Sequence, residues 1–429
     1  MIWSNRGVEV VELYKTAMKM MDEGLVDEAL DMLKKHQEQS SDDEKYLISE
    51  LYYERGFYDE AIKLLDQLLK KYPKEGQIIT KLAEMYIELE EDEFAIQLLN
   101  EIPEDDPYYV ASLIQLADLY QVQGLFEVSE QKLLTAKKLA PDEKVIDFAL
   151  GELFFSIGDY GRAITYYEKL TSIIELNGIS ILERLAECHA LLGHYEKALT
   201  FYRDLDSEDP NIIFKYGFTA YQAKRYEIAI GEWEKLIEID PHYHPVYYHL
   251  ANAYKEENMF DKAYDTVQQG LKYDEFNKEL YFLAGQLSLQ LNKEDEAMKF
   301  LQKAIELDID YQEAILLLVQ IYSNKNEHGK IIDLITECKR SGAADPLYDW
   351  ELAKAYREEE LYDKALAAYE EASNYLQHDS DFLKEYGYFL IEEGLTEEAM
   401  NILQKYLEIV PNDEEVFSFI ERLKLSHFE

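Results

Sequence analysis

Cysteine is scarce in this chain: Cys188 and Cys338 are the two among 429 residues, some 150 positions apart. No disulfide framework holds the fold together, so a packed apolar core must. Glycine and proline are few as well, 18 and 9, and no Ser/Gly/Pro-rich stretch or low-complexity tract marks a linker or a disordered tail. Basic residues number 43 against 88 acidic ones, a formal net charge of −45. A surface so negative repels phosphate backbones and anionic headgroups, which argues against nucleic-acid binding and peripheral membrane attachment. Long apolar runs are missing too. The stretch Ala314 to Val319 is typical of those present, far below the ~20 residues that cross a bilayer, and the N-terminus lacks the basic-then-apolar layout of a secretory signal. A soluble, cytoplasmic protein is expected. No strand pattern is visible, and no glycine-rich phosphate loop follows one.

What is present is a period. Ala29, Ala61, Ala95, Ala163, Ala198, Ala229, Ala263, Ala297, Ala365 and Ala399 recur at close to 34 residues, with Ser129 and Ile331 filling the gaps in register. Twelve positions before each stand Ala17, Ser49, Ala83, Ala117, Gly151, Ala186, Gly217, Ala251, Gly285, Val319, Ala353 and Gly387, of which eleven are small. Two helices about 8–10 Å apart need small side chains where they cross, so each unit reads as a helical hairpin. Segments such as Gly56 to Ala61, Gly158 to Ala163 and Gly193 to Ala198 read as a helix end, a turn and a new helix, with the glycine in the left-handed region. Pro73, Pro107, Pro141, Pro210, Pro241 and Pro411 lie twelve residues beyond the second-helix position and break one unit from the next.

The small residue, the aromatic near each second-helix opening, the alanine and the closing proline resemble the tetratricopeptide repeat (TPR) motif over about Val10 to Asp413. In length, and in the stretches Phe218 to Ala223 and Asp274 to Tyr281, the chain is similar to the YpiA-type TPR proteins of Gram-positive bacteria. The resemblance implies an all-α fold, a right-handed alpha-alpha superhelix (TPR solenoid) of about twelve helical hairpins with a C-terminal capping helix. The expected organisation is a lead-in over 1–9, one continuous array over 10–413, and a capping helix and tail over 414–429, whose apolar face comprises Val416, Phe417, Ile420 and Leu423. An array of this kind is one quasi-linear core that presents a surface. The two cysteines read as buried packing residues in it.

In TPR arrays the first helices line the concave face, and the residue after each small packing position points into the groove. At that place the second to sixth units carry Glu50, Glu84, Asp118, Glu152 and Glu187, an acidic ladder. Like charges at the ~8–10 Å spacing of adjacent helices repel, and a cationic partner would relieve the repulsion. Farther along, Phe214, Phe218, Tyr221, Tyr248 and Asn252 bring aromatic anchors to the same face, followed by Lys255, Gln286, Gln290, Gln320 and Asn324. The cationic clamp with which chaperone-binding TPR proteins hold a C-terminal carboxylate is not carried over. Only Asn252 matches it, and Tyr248, Leu283, Glu313 and Leu317 occupy the neighbouring places.

Enzyme chemistry has no evident seat. His242, His244 and His249 near Asp240 could contribute to a metal site, but two lie in a turn beside Pro241 and Pro245 and need not converge on the third. No catalytic residue, metal or cofactor is assigned. Spacing irregularities fall at Leu176-Asn177-Gly178, read as an added turn, and at Asp204 to Asp209, read as a shortened helix. The tenth unit, with Val319 and Ile331 at its close-contact places, predicts a wider helix crossing or a weak joint in that unit. The expected function is a non-catalytic scaffold or adaptor that binds a basic or amphipathic protein segment, the ladder steering cations and the aromatics anchoring apolar residues beside them. A monomer is favoured. The alternative is a cytosolic receptor for a signalling peptide or small ligand, acting through superhelix pitch.

Overall fold

A computed structural model of the chain describes residues 7–426. These form two compact units, the first ending at Asp206 and the second beginning at Ser207. The first contains six helical hairpins, α1 (Gly7–Asp22) with α2 (Val26–Gln37), α3 (Asp42–Glu54) with α4 (Tyr58–Lys71), α5 (Gly76–Glu88) with α6 (Asp92–Leu99), α7 (Tyr109–Val122) with α8 (Phe126–Leu139), α9 (Lys144–Ser156) with α10 (Tyr160–Tyr167), and α11 (Ile181–Leu191) with α12 (Tyr195–Leu205). The second contains six more, α13 (Pro210–Gln222) with α14 (Tyr226–Ile239), α15 (Pro245–Glu256) with α16 (Phe260–Tyr273), α17 (Lys278–Gln290) with α18 (Glu294–Leu307), α19 (Gln312–Asn324) with α20 (His328–Arg340), α21 (Pro346–Glu358) with α22 (Tyr362–Ser373), and α23 (Ser380–Glu392) with α24 (Thr396–Ile409). The final helix is α25 (Glu414–Ser426).

Both members of every small-residue pair are buried, which is why the 34-residue period sets the fold. Where the first helix has glycine, a larger side chain of the second helix occupies the space. A Cβ at Gly217 would lie 2.4 Å from the Trp233 indole nitrogen, and one at Gly151 2.6 Å from the Tyr167 ring. The tenth hairpin is the loosest of its unit. Val319 and Ile331 are buried on α19 and α20, and fewer residues of these two helices come close together than in any other hairpin of their unit. An open cleft of about 400 Å³ between α18, α19 and α20 accompanies the looser crossing.

Every hairpin turn closes with the same two main-chain bonds, a Schellman motif. In the second hairpin Phe57 N donates to Tyr52 O at 2.8 Å and Gly56 N to Tyr53 O at 3.0 Å. In the seventh, Arg225 N donates to Ala220 O at 2.8 Å and Lys224 N to Tyr221 O at 2.9 Å. The motif requires a positive φ. Glycine supplies it at Gly24, Gly56, Gly124, Gly158, Gly193 and Gly394, but asparagine does so at Asn258, Asn292 and Asn326, and Glu90, Lys224 and Glu360 adopt it with φ of 61°, 58° and 57°. Glycine is therefore not the general rule at these turns: hydrogen bonding from the main chain holds the left-handed residue even where its side chain disfavours it.

Two further details differ from the sequence expectation. The added segment after α10 contains a two-stranded antiparallel ladder, Glu175 opposite Ser180 and Leu176 opposite Ile179, turned by Asn177 and Gly178, both at positive φ. Asn-Gly is a strong signal for such a turn, and the ladder is too short to show as alternation. On α25, Val416 and Ile420 are buried and Phe419 packs on Tyr388 at 5.6 Å, whereas Phe417 faces outward at 57% exposure. The apolar stripe follows 416, 419 and 420, as helical spacing dictates. Residues 427–429 of the expected tail, and residues 1–6 of the lead-in, lie outside the described residues.

Within each unit, successive first helices approach one another directly, α5 with α7 and α7 with α9, α13 with α15 and α15 with α17. No pair of successive second helices is as close among the described residues. A stack whose first helices are nearer together curves toward them, so they line its inner face.

Candidate functional site

The five ladder carboxylates sit on the first helices of the first unit, as their register requires, but they are not equivalent. Glu84 accepts from Lys81 Nζ at 2.7 Å and from Gln115 Nε2 at 3.3 Å. Glu152 is gripped by Arg184, Nε to Oε1 at 2.9 Å and Nη2 to Oε2 at 3.1 Å, and receives the Tyr167 hydroxyl at 2.5 Å. Arg184 reaches Glu187 with its remaining arm, Nη1 to Oε2 at 2.9 Å, while its guanidinium lies 4.5 Å from the Phe155 ring centroid. Burial works against the Arg184 charge, but the bonds from Glu152 and Glu187 outweigh it and raise its pKa. Burial, reinforced by Glu152, also raises the Tyr167 hydroxyl.

Glu50 and Asp118 differ. Burial raises the Glu50 carboxyl, with Lys81 opposing and Glu54 and Glu84 adding to the rise. Asp118 has no cation or donor within bonding distance among the described residues, and burial pushes its carboxyl up to about 6. The residue is nonetheless exposed. A concave wall of protein on either side lets water touch such a carboxylate without fully hydrating it, which reconciles its exposure with the shift. Repulsion along the ladder is therefore weaker than five bare charges would produce: Lys81 and Arg184 are interleaved with them, and desolvation is the larger cost at Glu50 and Asp118.

The aromatic residues occupy the first hairpins of the second unit. Gly217 leaves room for Trp233, which is fully buried and donates its indole N–H to Phe214 O at 3.3 Å. Against the Trp233 ring pack Phe214, Tyr221 and His249, with centroids at 6.2, 6.1 and 5.6 Å. Phe214 and Tyr221 are consequently half-buried. The rings offered to solvent are Phe218, 40% exposed, and Tyr248, 37% exposed, standing nearly perpendicular to His249 at interplanar angles of 89° and 83°. The Asn252 amide donates to Tyr248 O at 2.8 Å within its own helix.

Residues outside the sequence-derived site organise it. Lys81 and Arg184 each stand three residues before a ladder acid, a spacing that places opposite charges side by side on a helix and could have been read directly. His249, a metal-ligand candidate by sequence, is the hub of the aromatic cluster, and burial lowers its pKa. His242 packs separately on Tyr273 at 5.1 Å, and no group of three or more potential ligands converges among the described residues. Cys188 and Cys338 are buried and free. Burial pushes the Cys188 thiol up to about 12, with Glu187 adding to the rise, and raises Cys338 as well, so neither has thiolate character at neutral pH. No described helix is long and apolar enough to cross a membrane.

Paired small residues, backbone-closed turns and a first-helix inner face define a tetratricopeptide repeat protein. Residues 52–116, 244–277 and 278–311 match the tetratricopeptide repeat families, 121–173 the family described as YpiA-like, tetratricopeptide repeats, and 346–413 that described as YpiA-like, C-terminal tetratricopeptide repeats. The TPR repeat-containing protein YpiA of Bacillus subtilis (strain 168) is 41% identical over 415 residues, 96% of this chain and 98% of that protein. The chain belongs to the YpiA-like TPR family. A more distant relative is TPR repeat-containing protein MJ1428 of Methanocaldococcus jannaschii, 22% identical over 297 residues, 64% of this chain and 52% of that protein. Among solved structures, a crystal structure of MamA matches 37% of this chain and 94% of its own at 22% identity, with a TM-score of 0.35.

Proposed function

We propose that this protein is a non-catalytic adaptor whose first unit binds a basic protein segment along the inner face of its first helices. The observation that carries the reading is Asp118, an exposed first-helix carboxylate with no cation or donor in bonding distance among the described residues and incompletely hydrated by the protein around it, where a partner's ammonium or guanidinium would be its counter-ion. Glu50 offers a second such place. Glu84, Glu152 and Glu187 already hold Lys81 and Arg184 and serve to shape the groove rather than to receive new cations. The formal charge of −45 speeds the encounter with a cationic partner. In the second unit, Phe218 and Tyr248 are the rings available to an apolar side chain, with Phe214, Tyr221 and Asn252 behind them.

The spacing of a fitting partner follows from the repeat. Glu50 and Asp118 are two hairpins apart, so at ~8–10 Å per first helix and ~3.3 Å per extended residue, the partner's two cations should stand about six residues apart. Affinity capture from native cytosol, comparing the wild type with the Glu50→Gln/Asp118→Asn variant, tests the assignment. Loss of a salt-sensitive partner from a variant that keeps its helicity and melts no lower than the wild type supports it; an unchanged set of partners removes the ladder from the binding surface.

A further inference from the structure

The inner face of the second unit contains a place of opposite chemistry. Lys255 on α15, Gln286, Leu289 and Gln290 on α17 and Leu317 on α19 line a cleft of about 370 Å³, and none of the five is acidic. In a chain with 88 acidic residues and 43 basic ones, such a cleft is unusual. Lys255 is half-buried and makes no ion pair among the described residues. Other first-helix cations of the same unit do have a carboxylate: Lys354 bonds Glu351 at 2.6 Å and Arg357 approaches Glu392 at 2.9 Å. The Gln286 and Gln290 amides have no protein partner among the described residues, which leaves their N–H groups free to donate.

A half-buried lysine without a counter-ion, sharing a cleft with two unengaged amides, one half-buried and one exposed, and with Leu289 and Leu317, is a set of donors that an acceptor would complete. We infer that this cleft binds a carboxylate side chain of a protein segment, with a neighbouring aliphatic side chain seated on the two leucines. Lys255 supplies the charge and Gln286 and Gln290 donate to the carboxylate oxygens. Leu289 and Leu317 accommodate the adjoining residue. The net charge of the protein opposes any anion at long range, so only one held in place by its neighbours in a segment is retained; a free dicarboxylate lacks that support. The inference stands on residues that the ladder proposal does not use, and either can fail without the other.

The test uses the full chain and two blocked pentapeptides, acetyl-Gly-Leu-Glu-Leu-Gly-amide and its glutamine counterpart, titrated by calorimetry or ligand-observed NMR. The glutamate peptide should bind about tenfold more tightly, equivalent to ~1.4 kcal/mol. That preference should vanish in Lys255→Met, persist in Lys255→Arg, and fall in Gln286→Leu, with circular-dichroism melting confirming that each variant is folded. Equal affinity for the two peptides, no detectable binding of either, or a preference that survives Lys255→Met would each overturn the inference. So would competition by free glutarate as effective as that by the glutamate peptide, because the cleft would then be a small-molecule site.

Discussion

Replacing Glu90, Lys224 and Glu360 with glycine should stabilise the protein, although all three substitutions remove a side chain and none adds a contact. The three residues are exposed, form no ion pair among the described residues, and have φ between 57° and 61° in turns where six other hairpins use glycine at 74° to 83°. A side chain in the left-handed region costs roughly 1–2 kcal/mol. Glycine relieves that cost but brings an unfolded-state entropy penalty of roughly 0.5–1 kcal/mol, leaving a net gain of about 0.5–1 kcal/mol per site. The sites are several hairpins apart, so the gains should add to about 1.5–3 kcal/mol. Urea unfolding of single and triple variants, followed by circular dichroism, reads the effect as a higher midpoint at unchanged slope. Asn258, Asn292 and Asn326 provide the internal control, since asparagine tolerates this conformation and its replacement by glycine should gain a few tenths of a kcal/mol at most. A triple glycine variant that unfolds at or below the wild-type midpoint would refute the reasoning. Asparagine replacements as stabilising as the other three would do so as well.

Further outcomes follow from the packing and the groove. Gly217→Ala puts a methyl group 2.4 Å from the Trp233 indole nitrogen and should cost about 1–3 kcal/mol, with a shift in Trp233 fluorescence. Arg184→Met leaves Glu152 and Glu187 without their cation and should cost roughly 1–3 kcal/mol, part of it regained when Glu152→Gln is added. His189 is buried, with neither ring nitrogen bonded, and burial, assisted by Lys197 and His194, lowers its pKa below 6.5. As pH falls through 6.5 the unfolded chain takes up the proton first, so stability should decline, and His189→Leu should flatten that decline in melting curves between pH 7.5 and 5.5. Asp118 has the opposite sign. Its folded carboxyl is raised to about 6 and binds a proton before the unfolded one does, so Asp118→Asn should raise stability at pH 7.5 relative to its effect at pH 4.

The repeat was legible because close approach of two helices leaves a residue-by-residue mark: only small side chains fit at positions such as Ala83 and Ala95, and the period of those positions counts the hairpins. The turn residues were less legible, since Glu90 and Lys224 give no sign of a left-handed conformation that is imposed by bonds between main-chain groups. The ladder could be found by register, but its charge state could not. That depends on whether Lys81 and Arg184 turn toward the acids, and on how much water the inner curve admits to Asp118, both properties of the assembled stack. The aromatic residues share one register, yet which of them face outward is decided by Trp233, a second-helix residue that draws Phe214 and Tyr221 inward through the gap at Gly217.

Turns closed by main-chain bonds separate geometry from residue identity at the rim of the array. A substitution at Leu25, Leu125 or Met259, each 43% to 46% exposed, leaves the two closing bonds of its turn in place. The rim can therefore change residue by residue while the curvature of each unit's inner face is held by the buried small-residue pairs. Sequence drift at the turns and the shape of the groove are uncoupled.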